Sequence, residues 1–258
     1  GIVRDTYGKG ENFAHALAER VARDLGLEIA RDAALNLYMT LPGRDRNLPG
    51  VVTGSHMDSV PQGGNYDGAA GVVAGLAAVA GLKRAGIQPK RDVTVMGIRG
   101  EEAAWFDSHY IGSKAAFGKF SAADFKVPRS DNKRLLGDCM AEAGCDLDAL
   151  RRGDAHFKPG DIHAYVETHI EQGPVLERAG LPVGIVTGIR GCLRHTYAKC
   201  FGTYAHSGAT PRDARQDAVA ATVELLQRLD DTWSEIEREG GDLVFTVGGD
   251  MEELRAAL

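Results

Sequence analysis

Gly54-Ser55-His56-Met57-Asp58-Ser59-Val60-Pro61-Gln62-Gly63-Gly64-Asn65-Tyr66-Asp67-Gly68 is the stretch on which the reading of this chain turns. It joins an apolar run ending at Val51-Val52 to a helical segment of small residues that begins near Ala69. Its glycines make a tight, rigid connection, and they set the imidazole of His56 and the carboxylate of Asp67 beside a strand end. A mixed imidazole and carboxylate donor set in such a place suits a first-row divalent metal. His56 and Asp58 are two apart, so in extended chain they share a side. Asp58 can then accept the ring N–H that a metal-bound His56 leaves free, which fixes its tautomer.

Outward from this stretch the periodicity predicts α/β structure. Residues 50–55 read as a buried strand, 69–83 as a helix apolar on every side, and 92–98 as a second strand. Strand, helix, strand with short connections is a βαβ unit of a mainly parallel sheet, and its functional groups collect at the carboxyl ends of the strands. Glu101 and Glu102 follow the second of these strands. Alone they would be a solvated acidic pair; at a strand end, one can bind metal while the other shuttles protons. Residues 165–170 read as another strand, which carries His169 and leads into Glu171-Gln172-Gly173-Pro174. Upstream, Phe13, Leu17, Val21 and Leu25 recur at helical spacing over 11–26 and predict the buried face of a helix. Residues 35–41 read as a strand.

The composition sets outer limits. The chain has 258 residues, 43% of them apolar, and a formal charge of −6. That charge is spread along the sequence and offers no basic face for nucleic acid. No apolar run reaches the roughly 18 residues of a membrane helix, and no signal-peptide pattern opens the chain. Cys139, Cys145, Cys192 and Cys200 lack CxxC spacing and do not form a disulfide framework. A cytoplasmic protein is expected. There is no GxSxG elbow, Walker loop or HExxH helix.

A strand is expected at 183–189, and a composition shift near residue 190 then predicts a second, smaller α+β domain. Its expected elements are strands at 193–205 and 242–247, a helix over 213–230 with Val219, Val223, Leu226 and Leu229 on one face, and a last helix over 251–258. The expected domains are 1–190 and 191–258.

Four segments, in order, resemble the M20 metallopeptidase superfamily, and within it the branch of N-carbamoyl-L-amino acid hydrolases, β-ureidopropionases and allantoate amidohydrolases. They are Gly54 to Gly68; Glu101 to Phe106 with Gly112-Ser113; Glu167 to Leu176; and Ala205-His206-Ser207-Gly208-Ala209-Thr210-Pro211 with Arg215 and Asp217-Ala218. The resemblance implies a mainly parallel, zinc-peptidase-like catalytic domain with a lid and dimerisation domain, acting as a homodimer on a small carbamoyl or ureido compound. It implies two divalent ions per subunit, zinc first, with manganese, cobalt or nickel as alternatives. His56, Asp67 and His169 would hold one ion; Asp67 would bridge to the second, which Glu102 also binds. Glu101 would be the general base and Asp58 the support behind His56. Gln172 would read the carbamoyl group, His206 would stabilise the oxyanion, and Arg215 would join the substrate site. Family members run longer, and the last histidine of the second metal and a carboxylate-gripping arginine have no counterpart here, so a fragment is expected. An aminoacylase or dipeptidase of the same superfamily, or a non-catalytic ureido-binding homologue, are the alternatives.

Overall fold

The computed structural model describes residues 2–189, 195 and 198–246. The chain divides after Ala179 into two compact units.

In the first unit the elements run α1 (Lys9–Asp24), β1 (Glu28–Arg31), β2 (Leu37–Leu41), β3 (Gly50–His56), α2 (Ala69–Arg84), β4 (Val93–Ile98), α3 (Ile111–Ala116), α4 (Leu136–Ala143), α5 (Leu147–Arg152), β5 (Ile162–Val166) and α6 (Val175–Ala179). The five strands lie in the order β1-β2-β4-β3-β5. β3 runs parallel to both β4 and β5, whereas β2 is antiparallel to β4 and to β1. The α/β expectation holds, and the three strands that lead into the candidate ligands are the parallel ones. They therefore release those ligands at one edge of the sheet.

α2 crosses from β3 to β4 and packs on the sheet through Gly71, Val72, Gly75, Leu76 and Val79. A side chain at Gly71 would lie 2.3 Å from the Thr168 carbonyl, so only glycine lets the helix come this close. Val72, Leu76 and Val79 join Leu37, Met39 and Val95 in one core layer. On the opposite sheet face Tyr38, Val52, Met96, Ile98 and Ala116 form another. Trp105, Phe106, Ile111, Leu136, Met140 and Leu150 fill a third core beside the strand ends.

Two expectations about helix faces are corrected. α2 is buried along one face, and Val73 is exposed on another. Its apolar composition allowed burial all round, but the sheet covers only one side of it. α1 turns Glu11, His15, Ala18 and Ala22 inward, while Phe13, Leu17 and Val21 are exposed. The alanines let α1 sit close to the sheet, and the Glu11 carboxylate finds backbone donors there.

In the second unit α7 (Ala218–Arg238) is capped by Asp217, whose side chain accepts from the Val219 and Ala220 amides. Val219 and Val223, expected on a buried face, are exposed. Residues 183–189, 195, 198–205 and 242–246 form no strand, against expectation. Extended chain becomes a strand only through a ladder with a neighbouring strand, and in this stretch Thr203 instead donates its amide to the Gln216 carbonyl beside α7. The other residues of the expected 193–205 strand, Val247 and the helix expected over 251–258 lie outside the described residues. No helix among the described residues is long and apolar enough to cross a membrane. Cys139, Cys145 and Cys200 are free thiols.

Candidate metal centre

His56 is the last residue of β3, and Gly68 caps the start of α2 with φ +64°. That conformation belongs to glycine, and a Cβ there would lie 2.6 Å from the His56 ring. The turn is thus folded down onto the imidazole, which brings Asp67 alongside. His56 and Asp67 are buried, and His169 is exposed.

His56 Nδ1 lies 3.0 Å from the Asp58 carbonyl, and His169 Nδ1 lies 2.9 Å from the Ile170 carbonyl. A carbonyl only accepts, so both Nδ1 atoms carry hydrogen and both Nε2 atoms turn inward. The two Nε2 atoms are 3.4 Å apart. Asp67 Oδ1 lies 3.2 Å from His169 Nε2 and 3.6 Å from His56 Nε2. This oxygen is buried and has no hydrogen-bond partner among the described residues. Metal bonds of about 2.0–2.1 Å in tetrahedral array put neighbouring ligand atoms about 3.3 Å apart. The triangle of His56, Asp67 and His169 has that size, so these residues fit a divalent cation. Gln172 Nε2 donates to the other Asp67 oxygen at 2.8 Å.

A second cluster joins His56 to Glu101 and Glu102. His56 Nε2 is 4.0 Å from Glu101 Oε2. Asp58, fully buried, holds this loop: its Oδ1 accepts from the Glu101 amide at 3.0 Å and its Oδ2 from the Glu102 amide at 3.1 Å. The Thr6 hydroxyl donates to Oδ2 at 2.8 Å. Asp58 thus meets His56 Nδ1 twice, through its backbone carbonyl at 3.0 Å and through its carboxylate at 3.4 Å.

The electrostatics of the cluster favour a cation. Burial opposes charge on His56, but the hydrogen bond to Asp58 and the carboxylates of Asp58, Glu101 and Glu102 outweigh it and push the imidazole up to about 9. Burial lifts Glu102 to about 7, with Glu101, Asp58 and Asp67 adding to the rise against His56. Burial also raises Glu101 above the usual carboxylate range, opposed by His56 and His169. Too much negative charge shares too little solvent, and bound positive charge relieves it.

A cavity of about 490 Å³ opens beside His56, Glu101 and His169. Val52, Ile98, Phe117, Phe157 and Tyr165 are among its walls. Glu101 faces this space, whereas Glu102 does not line it.

In the second unit His206 Nδ1 accepts from the amides of Gly208 and Ala209, at 3.1 and 3.0 Å. Its ring hydrogen is therefore on Nε2, which makes the exposed edge a donor. Arg215 donates to the carbonyls of Thr210 and Ser207, at 3.0 and 2.6 Å, and holds this turn.

Sequence reading missed several residues that shape the site. Arg4 and Glu11 are buried charges near the N-terminus, and Glu167 accepts from Ser55 and Tyr165 ahead of His169. Glu11 shares the inward face of α1 with His15, Ala18 and Ala22, a face that the four-residue apolar spacing did not mark.

A sheet that delivers two histidines and three carboxylates to one edge defines an α/β protein with a candidate cation centre. Residues 52–254 match the peptidase family M20/M25/M40, and the chain belongs to that family, whose members depend on metal. It is 38% identical over 250 residues to the N-carbamoyl-L-amino acid amidohydrolase of Geobacillus stearothermophilus, covering 96% of this chain and 59% of that protein. It is 35% identical to the allantoate amidohydrolase of Bacillus subtilis (strain 168), covering 89% of this chain and 54% of that one. A hydantoinase/carbamoylase family amidase from Burkholderia ambifaria superposes with a TM-score of 0.71 at 30% identity, over 90% of this chain and 55% of that structure. The chain thus spans little more than half the length of these relatives.

Proposed function

We propose that this protein is a metal-dependent amidohydrolase that cleaves the carbamoyl (ureido) C–N bond of a small amino-acid derivative. The observation that carries the reading is Asp67 Oδ1, buried without a hydrogen-bond partner among the described residues, between two inward-facing Nε2 atoms. His56, Asp67 and His169 would hold one divalent ion, and Glu102 with Asp67 would serve a second. Zinc is the first candidate, and mixed imidazole and carboxylate ligands also suit manganese, cobalt or nickel. Such ions lower the pKa of bound water and polarise a carbonyl.

The residues of the chain do the rest. Glu101 faces the cavity with a raised affinity for protons, so it takes a proton from the attacking water and returns it to the leaving nitrogen. Asp58 fixes the backbone that carries Glu101. Gln172, held by Asp67, presents its amide to the carbamoyl group. Residues 191–258 act as a lid and dimerisation domain. In a homodimer His206 donates from Nε2 to the oxyanion, and Arg215 joins the substrate site. A cytoplasmic setting goes with the free thiols.

Among ureido compounds, the apolar and aromatic cavity walls favour an N-carbamoyl amino acid with an apolar side chain over allantoate, which is polar throughout. A panel of N-carbamoyl, N-acyl, dipeptide and allantoate substrates tests this. Release of ammonia from N-carbamoyl compounds is expected, and Glu101→Gln should lower that rate by about 10²–10⁴-fold while leaving metal bound. Preference for dipeptides or N-acyl compounds would overturn the carbamoyl assignment. Absence of turnover on all four would favour a binding protein.

A further inference from the structure

His56 and Asp67 are joined by an eleven-step turn containing no helix or strand until α2. Glycines tighten this turn, and its two ends are also joined from outside it. Arg4, far away in sequence and 6% exposed, meets both. Its Nε donates to the Met57 carbonyl at 2.8 Å, one Nη to the Asp67 carbonyl at 2.8 Å and the other to the Asn65 carbonyl at 3.3 Å. Met57 follows His56 directly, so one planar group ties the backbone of one candidate ligand to that of the other. Arg4 is itself fastened at both backbone atoms: its amide donates to Ser59 Oγ at 3.1 Å, and its carbonyl accepts from the Ser59 amide at 2.9 Å. The same N-terminal segment reaches the third loop through Thr6 on Asp58 and Glu11 on the Gly100 amide.

We propose that Arg4 is a positioning residue for the metal centre, setting the distance between His56 and Asp67 by bridging their backbones. The inference rests on the metal reading of that site. The guanidinium is suited to it: it keeps its charge when buried, and its donors are fixed in a rigid fork that reaches three carbonyls at once. The ammonium of lysine is a point donor that cannot span both sides of the turn.

The test compares metal-free wild type, Arg4→Lys and Leu150→Ala, titrated with zinc and with manganese against a competing chelator. Urea midpoints of the same metal-free proteins are measured in parallel. Leu150 lies in the core with Leu136 and Met140, so its truncation reads out stability alone. Arg4→Lys should weaken metal binding about 10–100-fold, the cost usual for partners behind a metal ligand, whereas Leu150→Ala should lose stability at unchanged affinity. Equal affinity in Arg4→Lys and wild type would overturn the proposal, as would an equal loss of affinity in Leu150→Ala. Should Arg4→Lys not fold, Ser59→Ala, which releases the Arg4 amide, carries the same comparison, and wild-type affinity there counts against the proposal. A wild type that binds neither metal would instead refute the metal centre itself.

Discussion

Replacing Asp58 by Asn keeps the shape of the side chain and removes one acceptor oxygen. In the structure both oxygens are engaged, Oδ1 by the Glu101 amide and Oδ2 by the Glu102 amide and the Thr6 hydroxyl. The best placement for the asparagine oxygen is at Oδ2, where it keeps two donors. The amide NH2 then confronts the Glu101 N–H, leaving a buried donor with nothing to accept it, at a cost of about 1–3 kcal/mol. The two retained bonds also lose their charged acceptor, and the sum is on the order of 3 kcal/mol. For a chain of this size that corresponds to a fall in Tm of about 6–12 °C. Function should suffer separately, because the Glu101 backbone is released; a misplaced base of this kind costs about 10²-fold in rate. Urea denaturation and scanning calorimetry read the first effect, and ammonia release the second. The His56 imidazole, observed by NMR in the metal-free protein, should also titrate well below its wild-type value, since its largest favourable partner is gone. An Asp58→Asn variant with wild-type midpoint, rate and His56 titration would refute the reasoning.

Metal affinity should rise with pH. Without metal, His56 keeps its proton up to about 9 and Glu102 up to about 7, so metal has to displace one proton between those values and two below. The apparent binding constant should fall about tenfold per pH unit from 9 to 7 and more steeply below, as chelator competition will show; a flat profile would contradict the ligand assignment. Asp124 gives the opposite kind of pH effect, on stability. Burial raises its pKa, but hydrogen bonds from Ser121, Lys114 and Ser108 outweigh this and hold it down to about 2. The folded state thus binds the proton less well than the unfolded chain, so its contribution is present above the ordinary carboxylate range and is lost as pH falls through about 2. The Tm gap between wild type and Asp124→Asn should be widest near neutrality and close toward pH 2; a constant gap would rule the mechanism out.

Much of the site could be read from the chain because it is built locally. A strand end, a glycine turn and an apolar helix lie in unbroken succession from Val51 to Val79, and local composition identifies them. Glu101 and His169 could be placed because parallel strands release their loops on one edge. The parts that escaped depend on distant partners. Arg4 meets Met57 and Asp67, and Glu11 meets Gly100, contacts that no local pattern announces. The same holds for the inward face of α1. Four-residue spacing picked out Phe13, Leu17 and Val21, yet close approach to the sheet selected Ala18 and Ala22. β1 is polar and short, and it is a strand only because β2 pairs with it.

The most direct measurement is anomalous diffraction from crystals grown or soaked with zinc or manganese. A peak is expected within about 2.0–2.2 Å of His56 Nε2, His169 Nε2 and an Asp67 carboxylate oxygen together. Well-ordered side chains at those three positions with no anomalous density between them would contradict the account.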